Sequence, residues 1–144
     1  MKKYLSMKGR TGIWIDGKKA IIVHFFNDTR VVDVLESEVE YRRRYPGEGR
    51  EFSRTGDHIT SKEMTNEERI HHERRVFLKQ VADKLNPEFD IVIFGPAQTK
   101  HELLRVLAED HDFETELITL KTADSMTDNQ FVDLVHDYFN QVVV

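Results

Sequence analysis

Arginine crowds one stretch of this chain. Arg42, Arg43, Arg44, Arg50 and Arg54 all fall within Tyr41–Thr65, YRRRYPGEGREFSRTGDHITSKEMT. A guanidinium carries a fixed charge and a planar fork of donors, so it neutralises phosphate and stacks on exposed bases. Gly47 and Gly49 give the same stretch a backbone able to change shape on docking. A second basic group follows at helical spacing: Arg69, Arg74 and Arg75, with His71, His72 and Lys79. These residue types point to contact with a polyanion, RNA first, through phosphate neutralisation and counterion release. A segment of this length without strand or helix pattern, inside a compact domain, is uncommon unless it is functional or disordered.

Bond-breaking chemistry finds less support. Zinc proteases need two histidines four apart on a helix, with Glu after the first. His72-Glu73-Arg74-Arg75-Val76 and His101-Glu102-Leu103-Leu104-Arg105 carry Val and Arg where the second His belongs. Adjacent His71 and His72 point about 100° apart on a helix, too far to chelate from one face. Asp16 lies in a turn and Asp90 at the start of a strand, so no carboxylate pair is set mid-sheet for a two-metal nuclease. Asp124 and Asp128 sit beside a helix start, where carboxylates favour the helix dipole without catalysis. Gly95-Pro96 follows a strand and precedes a helix, a good setting for an anion. It has neither GxGxxG nor a Walker lysine beside it. No serine stands in a nucleophile elbow. The expectation is no catalytic residue, no metal and no cofactor.

The elements that must position the arginines read as follows. Ile13, Ile15 and Ala20–Phe26 are apolar strands separated by Asp16-Gly17-Lys18-Lys19, where glycine is expected to supply a positive φ. Asn27-Asp28-Thr29 marks a second turn, and Val31–Leu35 a third strand that extends as far as Val39. Thr65-Asn66-Glu67-Glu68 is a capping box. Behind it Ile70, Phe77, Val81 and Leu85 form an inward stripe, ended by Asn86-Pro87. Ile91–Phe94 suits a strand covered on both faces. A helix runs from Gly95-Pro96 to about Asp110, with Leu103, Leu104, Val106 and Leu107 inward. Phe113–Leu120 reads as a strand. Thr127-Asp128-Asn129-Gln130 caps a last helix that buries Phe131, Leu134, Val135, Tyr138 and Phe139. Trp14 is expected to be part-buried in its strand.

This order predicts an α/β fold: a mixed sheet of about five strands with three helices. An antiparallel amino-terminal meander joins a parallel β-α-β unit with a right-handed crossover. Residues 1–144 form one expected domain, with 41–65 as its long loop. A chain of 144 residues buries about 70% of its unfolded surface and needs no disulfide. It has no cysteine, no secretory signal and no apolar run of ~20 residues, so a cytoplasmic protein off the membrane is expected. The net charge is −5, unevenly spread. Met1–Lys84 holds 18 Lys/Arg against 14 Asp/Glu, a balance of +4; Leu85–Val144 holds 3 against 12, a balance of −9. A basic face on an acidic body follows.

Taken in order, GIWIDGKKAIIVHF, the Arg-rich stretch before ERIHHERRVFLKQVADKL, DIVIFGPAQTKHELLRVL and ELITLKTADSMTDNQFVDLVHDYF resemble a known family. It is the central domain of archaeal and eukaryotic class-1 peptide-chain release factors and Pelota, with their single-domain bacterial relatives. The resemblance implies a ribonuclease-H-like topology and a ribosome or structured RNA as partner. In release factors, the loop after the third strand carries Gly-Gly-Gln and promotes peptide release. Here Pro46-Gly47-Glu48-Gly49-Arg50 stands in that place, with no glutamine before Gln80. The leading expectation is therefore a non-catalytic, ribosome- or RNA-binding protein of the translation machinery. Its contacts would be Arg42, Arg43, Arg44, Arg50, Arg54, Arg69, Arg74 and Arg75. Two alternatives stand beside it. One is a peptidyl-tRNA ester hydrolase acting on stalled ribosomes. The other is an interaction module or homo-oligomer, favoured by the acidic carboxyl half and Val142–Val144.

Overall fold

The structure is a computed structural model that describes residues 9–37 and 66–143, the last two as backbone only. The elements run β1 (Arg10–Ile15), β2 (Lys19–Phe26), β3 (Thr29–Glu36), α1 (Asn66–Asp83), β4 (Asp90–Gly95), α2 (Thr99–Ala108), a 3-10 turn (Thr115–Leu117), β5 (Thr119–Thr122) and α3 (Asp128–Val143). The strand order is β3-β2-β1-β4-β5. β1, β2 and β3 pair antiparallel, as the two turns between β-branched runs require. β4 pairs parallel with β1 on one side and with β5 on the other. Among the described residues this is the expected α/β fold, with a mixed five-stranded sheet and three helices. The β1–β4 junction that welds the meander to the parallel unit is a long-range pairing with no local sequence mark.

The turns form where the sequence puts them, but by other means. No described glycine has a positive φ, so Gly17 does not make the first turn as expected. The Asp16 carboxylate makes it, accepting from the backbone N–H of Lys18 at 2.8 Å and of Lys19 at 2.9 Å. Aspartate closes turns in this way by mimicking a backbone acceptor. The second turn does need the left-handed region, and Asn27 takes it at φ 57°; asparagine tolerates this better than most residues.

Alternation along the strands makes two cores. Ile13, Ile15, Ile22 and Ile93 face α1 and α2, meeting Phe77, Val81, Leu103 and Leu107. Trp14, Ile21, Val23 and Phe94 face α3, meeting Phe131, Val135 and Phe139. Burying each such side chain contributes roughly 1.5–3 kcal/mol. Trp14 is fully buried rather than part-buried. α3 begins with the expected box: Gln130 N–H donates to Thr127 Oγ1 at 3.1 Å, and Thr127 N–H to Gln130 Oε1 at 3.0 Å. The other box is not comparable, because Thr65 lies outside the described residues. α3 sits close because β1 carries Gly12, where a Cβ would run into Val135. Gly95 ends β4 against β1, where a Cβ would strike the Ile15 carbonyl oxygen.

Two further expectations fail. Phe113–Leu120 is not one strand: it breaks into a 3-10 turn, and only Thr119–Thr122 pairs. Thr119 already faces Val92, two residues from the start of β4, so little strand remains to pair with. Ile70 is 40% exposed although it continues the inward stripe of α1. The helix outruns the sheet there, and periodicity marks a face without showing that anything covers it.

Candidate nucleic-acid interface

β3 runs antiparallel to β2, and β2 antiparallel to β1, so β1, β3, β4 and β5 all end at one edge of the fold. Open α/β sheets bind their ligands outside this carboxyl end. Three anchors shape it here. The Asp16–Lys19 turn presents Lys18 outward and Lys19, whose ammonium lies 5.9 Å from the centre of the Trp14 ring. The Trp14 indole N–H donates to the carbonyls of Ala123 and Asp124, each at 3.1 Å, and ties the approach to α3 down. Lys100, buried at the start of α2, donates from Nζ to the Ala97 carbonyl at 2.6 Å and fixes the turn after Gly95.

Both flanks of residues 38–65 reach this end. The Ser37 backbone N–H donates to the Lys18 carbonyl at 2.8 Å, holding the end of β3 to the first turn. α1 leads toward the start of β4, so its amino terminus points the other way. The Arg74 guanidinium is the nearest group to the outer face of Gly17 in the same turn. The first two turns of α1, Asn66–Glu73, therefore run past the sheet, about 12 Å at 1.5 Å per residue. Burial agrees: the buried positions of α1 are Phe77, Leu78 and Val81, all in its second half.

The expected contact residues divide in two. Arg42, Arg43, Arg44, Arg50 and Arg54, with Gly47 and Gly49, lie outside the described residues. Arg69, Arg74 and Arg75 share α1 but differ in setting. Arg69 is half-buried on the overhanging part. Arg74 Nη1 stands 3.9 Å from Glu102 Oε2, a loose pair. Arg75 Nη2 reaches both carboxylate oxygens of Glu109, at 2.9 and 3.1 Å. Both members of that pair are about half-exposed, so it is worth little and exchanges readily for another anion. Lys18 and Lys19 were not singled out in the sequence as contacts. Their place in an Asx turn bonded to Ser37, the last described residue before 38–65, is the signal that brings them in.

The amino end of the sheet is different. Glu88, Asp90, Asp112 and Glu114 line a cavity of about 320 Å³ floored by Phe89 and Phe113. His24 lies on this side, its Nδ1 2.9 Å from Thr11 Oγ1. Burial pushes its pKa below the ordinary 6.5, and the Asp33 charge and a backbone hydrogen bond at Lys84 oppose that only in part. Among the described residues no cluster of three potential ligands could hold a metal, and no helix is long and apolar enough to cross a membrane.

No family model matches this chain, and no curated protein matches it. Among solved structures, Pelota from Archaeoglobus fulgidus superposes with a TM-score of 0.56 at 12% identity, over 98% of this chain and 35% of its own. An archaeal translation termination factor aligns at 15% identity and a TM-score of 0.40, over 93% of this chain and 41% of its own. The chain thus spans well under half the length of either. At such identity the likeness to Pelota is one of fold, and that is the fold the sequence resemblance implied.

Proposed function

We propose that this protein is a non-catalytic RNA-contacting component of the translation apparatus. It docks on the ribosome through the carboxyl end of its sheet. Arg42, Arg43, Arg44, Arg50 and Arg54 supply the main charge, with Arg69, Arg74 and Arg75 beside them. The supporting observation is geometric. The described residues on either side of 38–65 both lie at this end: Ser37 is bonded to Lys18, and the start of α1 overhangs beyond Arg74, which sits at Gly17. Cations gathered at one end of an acidic body orient it toward polyanion and keep the rest away. Guanidinium groups then neutralise phosphates and stack on exposed bases.

The test is co-sedimentation of the purified protein with ribosomes across a salt series. Five arginine–phosphate contacts give a slope of log affinity against log salt of about −3.5 to −4.5. A variant with Arg42, Arg43 and Arg44 changed to Gln should bind more weakly and with a shallower slope. Equal, salt-insensitive binding by both proteins would reject the reading.

A further inference from the structure

We propose that β3 is the pairing edge of a homodimer, joining two copies of this chain into one continuous sheet across a two-fold axis. Among the described residues β3 is the last strand of the sheet on its side. It is eight residues long, and it carries Val31, Val32 and Val34 at 48%, 39% and 47% exposure. A long apolar edge strand is a template for another strand, and proteins ordinarily shorten, bend or cover it. Here the cover stops short. Val32 and Val34 face the α3 side, opposite Val23 and Ile21, yet stay largely exposed there.

The sequence of β3 says which strand suits it. In an antiparallel pair related by a two-fold axis, facing residues share a face of the sheet, so even positions meet even and odd meet odd. Centring the axis on Asp33 puts Arg30 opposite Glu36 of the second copy, Val32 opposite Val34, and Val31 opposite Leu35. Opposite charges meet, and valines meet aliphatic side chains. Moving the axis to Val32 sets Arg30 against Val34 and Val31 against Asp33. Moving it to Val34 sets Val32 against Glu36 and Asp33 against Leu35. One register is self-complementary, and its single defect is Asp33 facing Asp33. Like charges directly opposite weaken a pair, so the dimer is concentration-dependent.

The experiment uses the whole chain, treated with nuclease so that RNA cannot bridge copies, and measures mass by sedimentation equilibrium over a concentration series. Wild type should pass from monomer to dimer. D33N should move the midpoint to about two- to fivefold lower concentration. V32K/V34K should stay monomeric, and circular dichroism checks that this exposed double change leaves the fold intact. R30E should weaken the dimer and R30E/E36R restore it. The chain has no cysteine, which permits a register test. Opposed residues lie ~4.5–5.5 Å apart at Cα, within disulfide reach, so D33C should crosslink under mild oxidation. V31C should not, because its equivalent lies four residues along the strand, about 13 Å away. Monomers throughout, D33N included, overturn the proposal. So does a dimer indifferent to V32K/V34K, or equal crosslinking of D33C and V31C. None of these results bears on ribosome binding.

Discussion

The two ends of the sheet are made by the same strands and differ in how their charged groups are held. At the carboxyl end the Asp16–Lys19 turn sets Lys18 and Lys19 near Arg74. The Asp16 carboxylate accepts from two backbone N–H groups, and Glu36, Asp124 and Asp128 are exposed at the same end. At the amino end Glu88, Asp90, Asp112 and Glu114 line a cavity with Phe89 and Phe113, and burial lowers the pKa of a half-buried histidine. Local turn chemistry makes the difference: the Asp16 carboxylate is fixed by the turn it closes, while the acids at the other end line an open cavity.

The strongest way to break this contrast is to exchange charge at each end and compare the salt dependence of ribosome binding. Changing Arg42, Arg43 and Arg44 to Gln should flatten the slope by about 2–3, since each lost phosphate contact removes roughly 0.7–0.9. Changing Glu88, Asp112 and Glu114 to Gln, Asn and Gln should leave that slope as it was. Equal effects from both triples would show that net charge, not its placement, governs binding. Next in size is W14F. It strips the indole donor from the Ala123 and Asp124 carbonyls and leaves the space of the lost ring unfilled. An unmatched buried donor–acceptor set costs about 1–3 kcal/mol, to be read as a lower urea midpoint with an unchanged m-value. Because those carbonyls form part of the carboxyl end, ribosome binding should weaken as well.

Much of this was legible in the sequence, and the misses have physical causes. The meander, the Thr127–Gln130 box and the cores around Phe77 and Phe131 follow from periods of 2 and 3.6 and from capping chemistry, all local signals. The parallel pairing of Ile13 with Ile93 joins residues far apart in the chain, and no local pattern encodes it. Phe113–Leu120 alternates like a strand, yet β4 offers a partner only from Thr119 onward. The stripe on α1 names the face of Ile70 correctly but not the end of the sheet beneath it. At the candidate site, Arg42, Arg43, Arg44, Arg50 and Arg54 lie outside the described residues, so their chemistry rests on the sequence alone. The place of Lys18 and Lys19 depended on a turn whose mechanism was misread as glycine's.

At the amino end the contrast can be sharpened with pH. His24 has a folded pKa below its ordinary 6.5, so the unfolded chain binds the proton more readily. Stability is present in full above 6.5 and falls as pH is lowered through that value toward the folded pKa. Urea midpoints measured from pH 7.5 to 5.5 should drop for wild type and drop less for H24Q. W14F removes no titrating group, so it should shift the whole curve without changing its shape.

The smallest expected effect separates a resting ion pair from a binding residue. Arg75 holds Glu109 through both carboxylate oxygens, and both partners are about half-exposed. Such a pair contributes about 0–1 kcal/mol, so E109Q should leave the urea midpoint nearly unmoved. If Arg75 belongs to the docking face, its phosphate and Glu109 compete for one guanidinium, and E109Q should tighten ribosome binding by up to about fivefold. R75Q should weaken binding and abolish the gain when combined with E109Q. If Arg75 serves only the contact between α1 and α2, E109Q and R75Q leave binding alone, and the interface contracts to the sheet's carboxyl end and the overhanging turns of α1.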